Sequence, residues 1–209
     1  YKKKKEPLPT GTCLILITPD SERTMCTFLG TAGKINKSDI DIEAIKKSDL
    51  IFLEGYLWDE GDPKEAFDKA INLANKTAMS LSDKFCVDRH KSNFLNLVKN
   101  KLDLVFANEA EIMSLIDAKD FNEVISFGKQ IKKHLVVTRG EKGAVSICNN
   151  ETAEINAIKN LKIVDLTGAG DLFASGYLHG FINNFSQNEC LIKATEMSSK
   201  IIQQIGARF

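Results

Sequence analysis

From residue 49 onward the chain alternates short apolar runs with helix-like segments, and nothing else in the sequence limits its fold so tightly. The runs "DLIFLEG" (49–55), "TAMSLS" (77–82), "LDLVFAN" (102–108) and "HLVVTRG" (134–140) are strand-like. Segments 41–48, 63–76, 92–100, 109–116, 121–131 and 188–205 read as helices, the second opened by a proline. Strands alternating with helices predict an α/β fold, a parallel sheet covered on both faces, with 49–55 as a buried strand. In such a sheet the ligand site lies at the carboxyl ends of the strands. The residues to inspect are therefore Glu54, Asp88, Asn108 with Glu111, Thr138 to Gly140, and Asp165 to Asp171.

Two stretches depart from the alternation. "TCLILIT" (12–18) and "RTMCTFL" (23–29) flank "PDSE", whose proline and aspartate form turns, so they predict a hairpin. A boundary near 30–40 lets that hairpin project as a small flap. A second hairpin, 143–149 with 151–157, turns at Asn149 and Asn150. The opening "YKKKKEPLPTGT" reads as a solvated lead-in and not a targeting signal.

Composition excludes several partners. Lysine plus arginine equals aspartate plus glutamate, 28 each, so no charge excess argues for nucleic acid or an anionic membrane. No apolar run has the length of a membrane span. The five cysteines lack C-x-x-C spacing, which speaks against zinc and redox motifs and fits buried thiols in a reducing cytoplasm. His90, His134 and His179 have no metal or triad spacing and read as structural or surface residues.

The chemistry concentrates in "IVDLTGAGDLFASGYLHG" (163–180). Phe173, Tyr177, Leu178, Phe181 and Ile182 predict one buried face of a helix that starts at the glycines. Gly168 and Gly170 let backbone N–H groups converge at that start, an arrangement that binds anions. Asp171 in the first turn is favoured by the helix dipole. An anion nest beside a carboxylate suits phosphoryl transfer, with the carboxylate taking a hydroxyl proton. An acidic helix cap after a glycine turn has the same local form, so the stretch alone leaves both open. There is no G-x-x-x-x-G-K-[ST], and G-x-G-x-x-G fails at Phe173.

"VDLTGAGD" resembles the D-T-x-G-A-G-D signature of the ribokinase-like, or PfkB, family of sugar and nucleoside kinases. "ANEAE" (107–111) is similar to its N-x-x-E motif and "VVTRGEKGA" (136–144) to its T-x-G-x-x-G turn. "TPDSERTMCTFLG" (18–30), "LEGYLWD" (53–59) and "FCVDRH" (85–90) resemble the bacterial adenosine-kinase-like branch. The resemblance implies a Rossmann-like, mostly parallel sheet with helices on both faces and a small β lid. It makes 1–209 one domain, with 10–30 in the lid and 40–209 as the nucleotide-binding core. It implies ATP and Mg²⁺ as cofactors and a cytoplasmic, ATP-dependent kinase acting on a hydroxyl of a nucleoside or sugar, adenosine first.

Carried over by position, Asp171 is the base, and Gly168, Ala169 and Gly170 are the anion hole. Asn108 and Glu111 organise magnesium and its waters. Thr138, Arg139, Gly140, Gly143 and Thr167 lie along the nucleotide, although Arg139 reads equally well as a surface residue. Glu54 bonds substrate hydroxyls, Tyr56 and Trp58 line the pocket or pack the core, and Asp88 and Arg89 bind substrate or form a surface ion pair. Asp165, with Thr167, matches positions that support a monovalent cation such as K⁺ in some members. The lid of some relatives pairs across a two-fold axis, which implies a homodimer.

Leu166 replaces the usual threonine of the signature, and Cys26 a usual polar residue. The family's first strand, part of its lid and a glycine-glycine…asparagine segment are expected before Tyr1. Without them part of the acceptor pocket is missing and a sheet edge is bare. A non-catalytic nucleotide-binding module is therefore the alternative to a kinase.

Overall fold

The computed structural model describes residues 7–59 and 62–209; the lysine-rich start of the lead-in lies outside them. The first hairpin is a separate two-stranded antiparallel sheet, β1 (Thr12–Ile17) with β2 (Arg23–Phe28). Two 3₁₀ segments, Gly30–Lys34 and Lys37–Asp39, and the short helix α1 (Ile42–Lys47) lead into the main layer.

Among the described residues the main sheet has six strands in simple sequence order: β3 (Ile51–Glu54), β4 (Thr77–Ser80), β5 (Leu104–Asn108), β6 (His134–Thr138), β7 (Ala144–Cys148) and β8 (Glu151–Ile155). The first four are parallel; β7 pairs antiparallel with β6, and β8 antiparallel with β7. The helices α2 (Pro63–Leu73), α3 (Lys84–Asn100), α4 (Glu109–Ile116) and α5 (Phe121–Ile131) pack on one face. On the other lie α6 (Ala169–Ile182) and α7 (Gln187–Ile201).

The side-chain period of two in β5 explains this sandwich. Val105 and Ala107 join Phe94, Leu97, Ile112 and Leu115 on the first face. Leu104 and Phe106 join Phe173, Tyr177 and Leu191 on the second. Each large side chain buried this way is worth roughly 1.5–3 kcal/mol of transfer energy. The parallel register brings Glu54 beside Ser80, and Asn108 beside Thr138, at one end of the sheet.

Four expectations need correction. The strand at 49–55 is parallel as expected but not buried: among the described residues β3 lies at the sheet edge, and Phe52 is partly exposed. The helix expected from 92 begins at Lys84, capped by the Asp83 carboxylate accepting from the Phe85 N–H, and breaks helical geometry at His90 (φ −117°, ψ 23°). Asp88 and Arg89 are therefore helical residues, past the strand end. Ile182 leaves the buried face of α6 and is exposed. Of the five thiols only Cys86 and Cys190 are buried; Cys13 and Cys26 are exposed on the hairpin. Among the described residues no helix is long and apolar enough to cross a membrane.

Candidate active site

A cleft of about 310 Å³ opens at the carboxyl ends of β3 to β6. It gathers Glu54 and Tyr56 after β3, Ser80 and Ser82 after β4, Asn108 and Glu111 at β5–α4, and Thr138 at the end of β6. Thr167, Gly168, Gly170 and Asp171 close it from the start of α6. Phe52, Phe106 and Phe173 supply apolar wall, the first two edge to face at 5.9 Å. A larger open depression of about 640 Å³ beside the β3 edge contains none of Glu54, Glu111 or Asp171.

The glycine turn is built for backbone access. Gly168 caps α6 at φ 81°, a left-handed conformation, and a Cβ there would sit 2.8 Å from that of Ala207. Gly170 is different. Its backbone needs no glycine, and a Cβ built on it meets nothing within 4 Å. Its N–H and that of Asp171 belong to the first turn, where no helical carbonyl is within reach. The nest and the Asp171 carboxylate thus face the same open volume as Glu54.

Asn108 and Glu111 form a reciprocal cap on α4. Asn108 donates through its N–H (2.9 Å) and Nδ2 (2.6 Å) to the two Glu111 carboxylate oxygens, and its own Oδ1 accepts from the Glu111 N–H at 2.8 Å. Burial lifts the Glu111 pKa to about 7, against the pull of the Asn108 N–H, with Asp83 and Glu54 adding repulsion. Burial also raises Glu54, countered by a bond from Ser82 and reinforced by Asp171. Burial likewise pushes the Tyr56 phenol upward.

These carboxylates favour a cation in the cleft. Among the described residues no three His, Cys, Asp or Glu side chains are grouped to hold a metal by themselves. One buried carboxylate in an open cleft fits Mg²⁺, which keeps waters and phosphate oxygens as its other ligands.

Other expected residues lie elsewhere or are already engaged. The Arg139 guanidinium stacks 3.6 Å over Phe121 and donates to Glu109 at 3.0 Å, so it does not point into the cleft. That bond holds Glu109 below the usual carboxylate range, with Lys142 helping. Gly140 and Gly143 shape the turn after β6 at φ 56° and 89° and do not line the cleft. Trp58 packs edge to face against Phe67 and Phe94, on the α2–α3 side. Asp88 accepts from Ser114 and Lys84 on the surface of α3, and Arg89 lies over Phe85.

Asp165 is fully buried. Its Oδ1 accepts from the N–H and hydroxyl of Thr167 (2.8 and 2.6 Å), and its Oδ2 from the Gly206 N–H at 2.9 Å. Burial pushes its pKa up, but those donors and Arg23 outweigh it and hold the group ionised below its ordinary value. Both oxygens are committed to protein donors, so Asp165 buttresses the glycine turn. This geometry does not favour the monovalent-cation role.

Sequence reasoning missed Arg23, Ser80 and Ser82, and it read Met25 as ordinary core or flap material although that side chain lines the cleft. Arg23 and Met25 alternate on one face of β2, a period-two signal that was present. Their approach to the cleft needs the hairpin to fold back, and the Ser21 hydroxyl bonds the Ile163 carbonyl at 3.1 Å.

A family model described as pfkB family carbohydrate kinase matches residues 1–209. A probable sugar kinase from Rhizobium etli superposes with a TM-score of 0.94 at 38% identity, covering 99% of this chain and 64% of its own. The adenosine kinase of Sinorhizobium meliloti gives 0.92 at 36%, covering 96% and 63%. Adenosine kinase from Dictyostelium discoideum is 26% identical, over 95% of this chain and 64% of its own length. The chain thus spans less than two thirds of each of these three relatives.

Proposed function

The chain belongs to the pfkB family of carbohydrate kinases, and on that premise we propose that it transfers the γ-phosphoryl group of ATP to a hydroxyl of a small nucleoside or sugar. The observation that carries this reading is one open volume bordered by the Gly168–Gly170 nest, Asp171 and Glu54. Residues 10–30 act as the lid and 40–209 as the nucleotide-binding core of one domain.

The acceptor hydroxyl lies between Glu54 and Asp171. Asp171 takes its proton as the oxygen forms its bond to the γ-phosphorus, and the bond to the ADP oxygen breaks. The N–H groups at the start of α6 and the Arg23 guanidinium face the charge that spreads over the transferring oxygens. Glu111, oriented by Asn108, would hold Mg²⁺ through water; the ion supplies charge neutralisation on the phosphates. Thr138 borders the nucleotide side.

Adenosine is the first acceptor to test, because Tyr56, Phe52, Phe106 and Phe173 offer aromatic surface for a base. A sugar is the second reading, favoured by the likeness to the Rhizobium protein. The deciding experiment measures phosphoryl transfer to a panel of nucleosides and sugars in wild type and Asp171→Asn. Loss of a general base lowers turnover about 10²–10⁴-fold with ATP binding retained. Unchanged turnover in the variant refutes the assignment. ATP binding with no product from any acceptor in wild type favours the non-catalytic module.

The hairpin face away from the cleft leaves Leu14, Leu16 and Phe28 half or more exposed, and we propose that it pairs with a second copy. Sedimentation as a monomer at high concentration counts against that.

A further inference from the structure

We propose that Ser82 is the positioning residue for Glu54, holding its carboxylate at the acceptor side of the cleft. The inference rests on the functional reading above only for what Glu54 binds.

β3 ends at Glu54, and β4 ends alongside it at Ser80. Two residues later the backbone turns left-handed at Ser82, φ 71°, an uncommon conformation for a residue with a Cβ. That turn places the Ser82 hydroxyl between two groups of the neighbouring strand end. The Gly55 N–H donates to its oxygen at 2.7 Å. Its proton then has two acceptors in reach, the Glu54 Oε2 at 2.7 Å and the Ser80 carbonyl at 3.2 Å. The shorter contact, to a charged acceptor, takes the proton.

The turn is held on both sides. The Tyr56 hydroxyl donates to the Ser82 carbonyl at 2.9 Å, and the Ser82 N–H to the Ser80 hydroxyl at 3.1 Å. A Cβ on Gly55 would come within 2.8 Å of the Leu81 carbonyl, so the end of β3 sits directly against this segment.

The charged and titratable groups around Glu54 are Asp171 on α6, Glu111 on α4, Tyr56 on the turn after β3, and Arg23 on β2. Asp171, Glu111 and burial oppose a charge on Glu54; the Ser82 hydroxyl opposes them. Ser82 therefore fixes the direction of the carboxylate and favours its charged form against burial, without touching the transferred group.

The test uses Ser82→Gly in the full chain. Glycine is at ease at positive φ, so folding is retained while the hydroxyl is lost. The acceptor KM is expected to rise about tenfold, the loss of one hydrogen bond to a charged group, with the ATP KM unchanged. The Glu54 carboxyl, followed by carbon NMR, titrates at higher pH than in wild type. In a Glu54→Ala background the same substitution adds nothing to the KM. An unchanged Glu54 titration and acceptor KM overturn the proposal, as does a full effect in the Glu54→Ala background. If wild type transfers no phosphoryl group the functional reading fails, and the Glu54 titration still decides the role of Ser82.

Discussion

Replacing Gly170 by alanine separates folding from function in opposite directions. Gly170 lies in the first turn of α6 with ordinary helical backbone, and an added Cβ meets no atom within 4 Å. Alanine is favoured over glycine inside a helix by about 0.5–1 kcal/mol, so the variant is expected to be more stable by up to that amount. For a chain of this size 1 kcal/mol moves the denaturation midpoint by about 2–4 °C. The same methyl projects into the cleft beside Asp171 and Thr167, where the nest would receive the transferring phosphoryl group. The alanine keeps its N–H, so the loss comes only from the methyl holding the phosphoryl oxygens off that donor, and a donor put fully out of reach in this way costs about 10²–10³ in turnover. Thermal denaturation and initial-rate kinetics on one preparation read both effects. Gly168→Ala is the internal control: at φ 81°, with Ala207 2.8 Å away, it must lose more than about 1 kcal/mol. A Gly170→Ala protein that is less stable, or stable and fully active, refutes the reasoning.

Three further outcomes follow from the same geometry. Burial holds the His134 pKa down at about 4 against 6.5 when unfolded, so the unfolded chain takes up a proton the folded state refuses. That contribution to stability is intact above about pH 6.5 and falls away toward pH 4, a loss of about 3 kcal/mol. Urea denaturation of wild type against His134→Gln across that window measures it. Comparison with the variant is needed because Glu111, raised to about 7 from 4.5, lowers stability with rising pH over the overlapping range. Glu111 must lose its proton to serve a cation, so Mg²⁺-dependent ATP binding should weaken by up to about tenfold per pH unit below 7; calorimetry checks this, and Glu111→Gln should show a shallower slope, that of the ATP phosphate alone. Glu109→Ala removes a half-buried pair with Arg139 and should lower stability by about 1 kcal/mol while leaving the acceptor KM unchanged; an unmoved denaturation midpoint means the pair is idle.

The segment from 102 to 157 was readable because short continuous apolar runs, buried on both faces of the sheet, are separated by segments of helical period, with Asn149 and Asn150 marking the hairpin. The Asn108–Glu111 cap was readable as spacing alone. The first half of α3 was not: its period breaks at His90, and its charged residues face solvent. The strand-end argument failed at Asp88 because only residues 81–83 separate β4 from α3, so position 88 is already in the second turn. Arg139 shows the opposite limit. Its place after β6 was right, but its partners Glu109 and Phe121 lie on other elements and no local pattern announces them. Ser82 was invisible because its conformation and both its partners depend on how β3 and β4 end side by side.

Tyr177 has a consequence for how the cleft breathes. Its hydroxyl meets His134 at 2.6 Å and Ser146 at 2.7 Å, and Ser146 reaches Gln187 at 2.7 Å. One buried node therefore ties α6 to β6, β7 and α7, six residues (about 9 Å along the helix) from Asp171. The β1–β2 hairpin has no fully buried side chain of its own. Amide exchange should then divide the site in two, with α6 opening only on global unfolding and the hairpin opening locally and often. Opening and closing of the site become a property of the element that carries Arg23, while the carboxylate and the glycine nest keep time with the core.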